Sequence, residues 1–251
     1  MNETIDITVE DARYLIEYAV DADMVEYYEQ TVFGGIDNLE WNAKQLLQFL
    51  SEYYPDNKYR IVDVDSYLEE EDEIIIDSNL TFDQALENTR APKNVIESLV
   101  LLDIEYISLD NKIHRGQIMV NKSVENEVKQ FFKLLLQDKF IIEKMIPTTK
   151  YDWDDDKSME DNNTSGFNYR FIANSNKLSN HALGKAIDVN PKWNPVIYSN
   201  GKVLPKGGTR DKGRPGTFQK NSRGVTYLIS KNWNWGGEYK SFKDWHHFDK
   251  D

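Results

Sequence analysis

A chain of 251 residues with 39% hydrophobic and 12% aromatic content is long enough to bury a sizeable core and too apolar to be disordered. It contains no cysteine, which excludes disulfides and thiolate metal sites and leaves imidazole and carboxylate as donors for any transition metal. The formal charge of -13 is unevenly placed: residues 1–90 carry 23 acids against 5 bases, a net -18, which leaves 20 acids and 25 bases, a net +5, in the remainder. That asymmetry predicts two units, an acidic one that repels nucleic acid and a mildly basic one that tolerates an anionic substrate.

In chain order, the opening stretch MNETIDITVEDARYL has no basic segment leading into an apolar one, and no apolar run approaches a membrane span. The expectation is a soluble chain with no transmembrane segment and no visible export signal; either a leader has been removed or export does not use one. Residues 9–30 place Val9, Ala12, Leu15, Ile16, Ala19 and Val20 at helical spacing after Thr8, which predicts an amphipathic helix. Gly34 and Gly35 break the chain, and Asp37 with Glu40 opens a second helical pattern through Trp41, Leu46, Leu47 and Leu50 that stops at Pro55. The runs 61–68 and 73–77 read as short strands around an acidic connection, Glu69 to Glu73, that lacks the spacing of a calcium loop. Thr81 and Gln84 form a capping-box pattern at the head of a helix over 80–87. Pro92 marks the expected boundary between a mostly helical acidic unit, residues 1–92, and a second unit, residues 93–251.

The second unit is expected to be α+β, a small antiparallel sheet with flanking helices. Leu99–Leu109 is rich in strand formers, Asp110-Asn111 signals a turn, and Gln117–Val120 reads as the returning strand. Ser123 stands as an N-cap with Glu125 and Glu127 in the first turn of a helix whose buried stripe is Val124, Val128, Phe131, Phe132 and Leu135. Lys139–Ile146 follows as a strand, and His114, in the hairpin with no partner at ligand spacing, reads as structural or surface. Asp154, Asp155 and Asp156 read as a solvated loop. Arg170 sits between Phe167, Tyr169 and the apolar Phe171-Ile172-Ala173, in a strand-like setting where it needs an anionic partner, either a structural carboxylate or a substrate. Residues 194–223, rich in Gly, Pro, Lys and Asn, predict a surface excursion near a site; Val225–Ile229 is a short apolar helix or strand, and Trp233 and Trp235 beside Gly236-Gly237 are expected to pack in the core.

Two stretches carry chemistry. Leu178–Pro191 reads LSNHALGKAIDVNP, and its His181 and Asp188 are seven apart. A continuous helix would separate them by roughly 10 Å and a strand by roughly 23 Å, too far for both to reach one ion. If they share a metal the chain bends between them, and Gly184 is the residue that allows the turn; Ala186–Val189 then alternates as a short strand ended by Pro191. In DWHHFD, Asp244 to Asp249, the adjacent His246 and His247 point to different sides of an extended backbone, so one of them faces a common metal, and spacing leaves open which. Asp244, three before His247, can act on a water beside the metal without being a ligand, the division of labour that amide hydrolysis needs.

The combined pattern FNYR, LSNHALGKAIDVNP, WGG and DWHHF resembles the zinc peptidases of bacterial cell walls, which include D-alanyl-D-alanine carboxypeptidases, the VanX and VanY enzymes and phage L-alanyl-D-glutamate endolysins; the likeness spans residues 96–250. The resemblance implies a Zn2+ held by His181, Asp188 and His247, Asp244 as general base, and Arg170 as the arginine that stabilises the oxyanion or holds substrate. It implies Ser179 as the small hydroxyl residue two before the first ligand; His246 departs from the relatives, which carry another residue there, and is read as a residue of the pocket or one just behind the ligands, with Trp245 beside it as substrate-binding. The implied function is hydrolysis of a peptidoglycan stem-peptide amide bond or of a derived dipeptide, of the D-Ala-D-Ala carboxypeptidase type, with an L-Ala-D-Glu endopeptidase as the alternative. A rival of another class is a non-catalytic, zinc-stabilised module that binds wall peptide or a partner protein; retention of Asp244 and all three ligands speaks against it. Action at or outside the cell envelope follows from the resemblance, with cytoplasmic residence or phage-type release as other routes. Residues 1–92 lie outside it.

Overall fold

The computed structural model describes residues 4–8, 12, 16, 25, 43–55, 58–61, 74–172 and 175–250. The chain divides into two compact units, residues 1–72 and 73–251. In the first, strand β1 (Thr4–Ile7) pairs in parallel with β2 (Lys58–Ile61), and helix α1 (Ala43–Tyr53) turns Leu46, Phe49 and Leu50 inward at helical spacing onto Ile7, Ala12, Ile16 and Val25. Of the helix expected over 9–30, Ala12, Ile16 and Val25 are described, and they are helical and buried; the rest of it, the start of the second helix and the acidic connection lie outside the described residues.

The second unit holds β3 (Ile75–Ile76), α2 (Phe82–Ala85), α3 (Lys93–Ile96), β4 (Leu99–Ile107), β5 (Ile113–Asn121), α4 (Glu125–Gln137), β6 (Lys144–Met145), α5 (Asp155–Glu160) and β7 (Asn163–Thr164). These are followed by β8 (Ala186–Asp188), β9 (Val196–Tyr198), β10 (Val203–Leu204), α6 (Arg223–Ser230), β11 (Asn234–Trp235), β12 (Phe242–Asp244) and β13 (His247–Asp249). The result is mixed α/β, with several small sheets instead of one: β3-β5-β4, β11-β13-β8, β10-β9-β12 and the pair β6-β7. Antiparallel pairing prevails, while β3 with β5 and β6 with β7 run parallel.

The division falls at 72/73, ahead of the expected boundary at 92/93, because residues 74–92 are tied to the sheet. The buried Gln117 accepts from Ser78 Oγ–H (2.8 Å) and the Leu80 N–H (2.7 Å) through Oε1, and donates from Nε2 to the Leu80 carbonyl (3.1 Å) and Asp103 Oδ1 (2.9 Å). Ala85 and Leu86 then pack with Val95, Leu99, Met119 and Phe167. Both halves of the Thr81–Gln84 capping box form.

The main core is α4 laid on β4 and α6. Val128, Phe131, Phe132 and Leu135 meet Leu102, Ile104 and Tyr106 from β4, Val225 and Leu228 from α6, and Phe218, Phe248, Trp233 and Trp235. Each large side chain so buried contributes roughly 1.5–3 kcal/mol. The two tryptophans are core residues, and Trp233 Nε1–H donates to Glu127 at 2.6 Å.

Several local expectations are corrected. Asn121, not Ser123, caps the turn leading into α4, its side chain accepting from the Ser123 N–H. The strand over 139–146 shrinks to β6. Asp154 to Asp156 are not a solvated loop: Asp154 accepts from the Lys157 N–H as the N-cap of α5 and Asp155 pairs with Arg170. The excursion over 194–223 contains the β9–β10 hairpin, and 223–230 is helical. Beyond Arg170 the chain is exposed rather than strand core, with Phe171 56% and Ile172 42% accessible, touching Leu178 through a single bridge. His114 is structural in a denser setting than its sequence neighbours suggest, its Nδ1 2.9 Å from Asp77 and its Nε2 3.1 Å from Asp110.

Candidate metal centre and its cleft

His181 and Asp188 are brought together by a bend at Gly184. Residues 180–183 form a single 3₁₀ turn, started by Ser179, whose Oγ accepts from the His181 N–H, and ended by Gly184 at φ +66. A side chain there would be strained by its left-handed backbone and blocked in space: an added Cβ would lie 2.6 Å from the Asn121 nitrogen and 2.7 Å from Leu99 Cδ2. The chain then enters β8, where Asp188 closes the strand. Antiparallel pairing of β8 with β13 sets His247 directly opposite Asp188. Turn and ladder together deliver three donors that sequence distance had kept apart.

Nε2 of His181 lies 3.1 Å from Asp188 Oδ2 and 3.3 Å from His247 Nδ1, and His247 Nδ1 lies 2.8 Å from Asp188 Oδ1. Zinc bonds of about 2.0–2.1 Å in tetrahedral arrangement put ligand atoms about 3.3 Å apart; the two histidine nitrogens have that spacing, and each stands near it from a different oxygen of Asp188. The other nitrogen of His181 supports the same role: Nδ1–H donates to the Gly166 carbonyl at 2.5 Å, which fixes the ring and turns the Nε2 lone pair inward. Among the described residues, these three form the one group of His and acidic side chains with metal-holding geometry. Burial alone would raise the Asp188 carboxyl; the charges of His181 and His246 and hydrogen bonds from His181 and His247 reverse this and hold it well below the usual range. Burial works against a proton on His247, but the hydrogen bond and charge of Asp188, with Asp244 and Asp249 beyond it, prevail and push the imidazole up to about 9.

The group opens into a cavity of about 420 Å³ that Ser179, Arg170, Asp244 and His246 also line. Asp244 ends β12, placed opposite Val196 of β9. Both adjacent histidines border this cavity, and of the two His247 alone belongs to the donor group. His246 Nδ1–H donates to the Asn194 carbonyl at 2.8 Å, while its Nε2 stands 3.1 Å from Asp244 Oδ1 and 3.9 Å from Asp188 Oδ1, outside the metal-holding triangle. Arg170 has the carboxylate partner its setting demanded, with Nη2 2.8 Å from Asp155 Oδ2, yet its Nε is buried with no hydrogen-bond partner. Trp245 is not part of the cavity wall: the Arg210 guanidinium lies 3.7 Å from its ring centroid and Trp235 meets it edge to face.

Sequence reasoning missed Tyr239, Asp249, Asn180 and Asp155 in this cleft. Asn180 Nδ2–H donates to Asp249, and Tyr239, its phenol pushed up by burial and by the charges of Asp249, Asp244 and Asp188, points its hydroxyl at Asp249. The closing Asp of DWHHFD was the one available signal.

A largely buried His, Asp, His donor set with a further carboxylate, Asp244, in the same cavity, on a small mixed α/β scaffold, is the equipment of a metal-dependent hydrolase. Residues 173–250 match the family model described as D-alanyl-D-alanine carboxypeptidase, of the M15 group of metallopeptidases. The match takes in His181, Asp188, Asp244 and His247 and supports a hydrolase acting on peptide bonds; Arg170 lies just ahead of it. No curated protein and no solved structure matches the chain. Among the described residues no helix is long and apolar enough to cross a membrane.

Proposed function

We propose that this protein is a zinc-dependent peptidase that hydrolyses an amide bond of peptidoglycan stem peptides, of the D-Ala-D-Ala carboxypeptidase type, and that it acts at or outside the cell envelope. The observation that carries the reading is the convergence of His181, Asp188 and His247 with Asp244 in one cavity, within the segment that matches the peptidase family. A bound zinc ion supplies a Lewis acid and a water acidic enough to be deprotonated near neutral pH. His181, Asp188 and His247 hold it, with His181 kept in the right tautomer by Gly166. Asp244 takes the proton of the attacking water and passes it to the leaving nitrogen. Arg170, anchored by Asp155 through one arm, offers its unpartnered Nε to the oxyanion or to a substrate carboxylate. Ser179 and His246 line the substrate space.

The test is release of D-Ala from a stem pentapeptide by the zinc-loaded protein, with mass analysis of digested muropeptides to identify the bond. Asp244→Asn is expected to lose about 10²–10⁴-fold in rate while keeping its zinc. A zinc-loaded protein that cuts no stem peptide, or an active Asp244→Asn variant, removes the proposal; cleavage between L-Ala and D-Glu reassigns the bond and keeps the machinery.

A further inference from the structure

Arg170 belongs to two cavities. Besides the cleft of the metal centre it lines a second space of about 730 Å³, bounded by residues 80–90 and 149–153 together with Asn168 and Tyr169. That volume is in the range of small-molecule and peptide-binding pockets. Nothing in the catalytic assignment uses it.

Its lining is suited to an anion. The side chains of Arg90 and Lys150 make no hydrogen bond or ion pair among the described residues. Of the two acids on the wall, Asp152 is drawn toward Lys157, which lies outside the lining, at 3.8 Å. The wall is also held in a costly conformation. Trp153, a bulky residue, is at φ +62 directly after Asp152 at +54. Backbone of this kind persists where the surroundings over-determine it and gathers at ligand sites. Here Trp153 Nε1–H donates to the Glu87 carbonyl at 2.9 Å and the ring meets Phe167 edge to face, so one face of the cavity is fixed before any ligand arrives.

We propose that this second cavity is a subsite for a carboxylate-bearing extension of the substrate peptide, reached past Arg170 from the scissile bond and gripped by Arg90 and Lys150. The proposal rests on the peptidase reading and names its substrate more closely: a multi-residue acidic stem peptide, in preference to a free dipeptide. Arg170 then stands at the junction, with the reacting amide on one side and the extension on the other.

The experiment uses the full chain, zinc-loaded and carrying Asp244→Asn to prevent turnover, titrated calorimetrically with L-Ala-γ-D-Glu-L-Lys-D-Ala-D-Ala, with the same pentapeptide bearing D-isoglutamine, and with N-acetyl-D-Ala-D-Ala. The free carboxylate pentapeptide is expected to bind more tightly than both others. Exposed ion pairs contribute a few-fold each, so Arg90→Ala with Lys150→Ala is expected to weaken the acidic pentapeptide about tenfold more than the dipeptide, and amidation is expected to add little to that loss. Both side chains are exposed, and circular dichroism checks that the fold is kept; Lys150→Glu, a reversal of charge, is expected to weaken binding further. Equal loss for pentapeptide and dipeptide, or no loss, overturns the subsite. If the wild-type chain hydrolyses pentapeptide and dipeptide with the same kcat/KM, the subsite falls and the peptidase reading stands. If it hydrolyses and binds neither, both fall.

Discussion

Gly184→Ala is the most direct probe of how the metal centre is built. The residue meets two separate penalties, and a second glycine separates them. At Gly184 the backbone is left-handed at φ +66 and the new Cβ is 2.6 Å from a backbone nitrogen and 3.0 Å from a backbone carbon of β5, atoms that move only with the sheet. At Gly201 the backbone is left-handed too, at φ +83, but a new Cβ meets nothing within 4 Å. Left-handed geometry costs a non-glycine residue about 1–2 kcal/mol, and forcing a methyl into a packed site costs about 1–3 kcal/mol more. Gly201→Ala is therefore expected to cost about 1–2 kcal/mol and Gly184→Ala about 2–5 kcal/mol. For a unit of this size that corresponds to a fall in Tm of about 2–8 °C and about 4–20 °C respectively. The assay is thermal unfolding in chelator, so that metal binding does not mask the difference, followed by zinc stoichiometry of the refolded proteins. Gly184→Ala is expected to lose zinc affinity as well, because the turn and β5 shift together, whereas Gly201→Ala retains it. Equal Tm values for the two variants, or full zinc affinity in Gly184→Ala, would refute the reasoning.

His247→Ala is expected to abolish zinc retention and His246→Ala to preserve it, since His246 stands outside the donor triangle; metal analysis after dialysis decides, and the opposite result exchanges their roles. In the metal-free chain the His247 pKa, about 9, is above its ordinary 6.5, so its contribution to stability is complete below about 6.5 and lost as pH rises through 9. Zinc must displace that proton, and apparent affinity is expected to fall about tenfold per pH unit below 9; chelator competition at pH 6, 7 and 8 measures it, and a flat profile counts against the assignment. Gln117→Leu leaves the Leu80 backbone groups and Ser78 without partners and is expected to cost about 2–4 kcal/mol. Limited proteolysis reports whether residues 74–92 then loosen, and an unchanged digestion pattern would show that Gln117 is not what holds them.

What could be read from the sequence was local. The Thr81–Gln84 cap, the strand from Leu99 and the bend at Gly184 each depend on residues within a few positions of one another, and each is present. Spacing marks His181, Asp188 and the His246-His247 pair as candidate donors but leaves the choice within the pair open; the resemblance points to His247, which is the one the fold gathers with the other two. What escaped was set by distant packing. Asp155 lies fifteen residues from Arg170 in a run of three acids, and nothing in that run distinguishes the one that turns inward. Asn180 meets Asp249 through the pairing of β13 with β8, and Tyr239 meets it on the side where β13 pairs with β11. The unit boundary moved because a single buried amide, Gln117, recruits Leu80 and Ser78 from 37 and 39 residues away. Trp245 was placed on the substrate side as a neighbour of Asp244 and His246, but adjacency in sequence does not determine which way a ring packs.

The direct pairing of Asp188 with His247 makes the hydrogen-bonded ladder a ruler for the metal site. Sliding β13 by one residue would present Asp188 with His246 or Phe248 and turn every side chain of the strand to the other face. Gain or loss of a single residue inside either strand should therefore do more harm than most substitutions there. Changes of length in the turn between β9 and β10 leave the ruler untouched, whereas the connection from β10 to α6 is tied to it through Phe218, which packs against Phe248 of β13. Natural variation in length has room in that turn, whose flanking Tyr198 and Leu204 belong to the wall of the cleft.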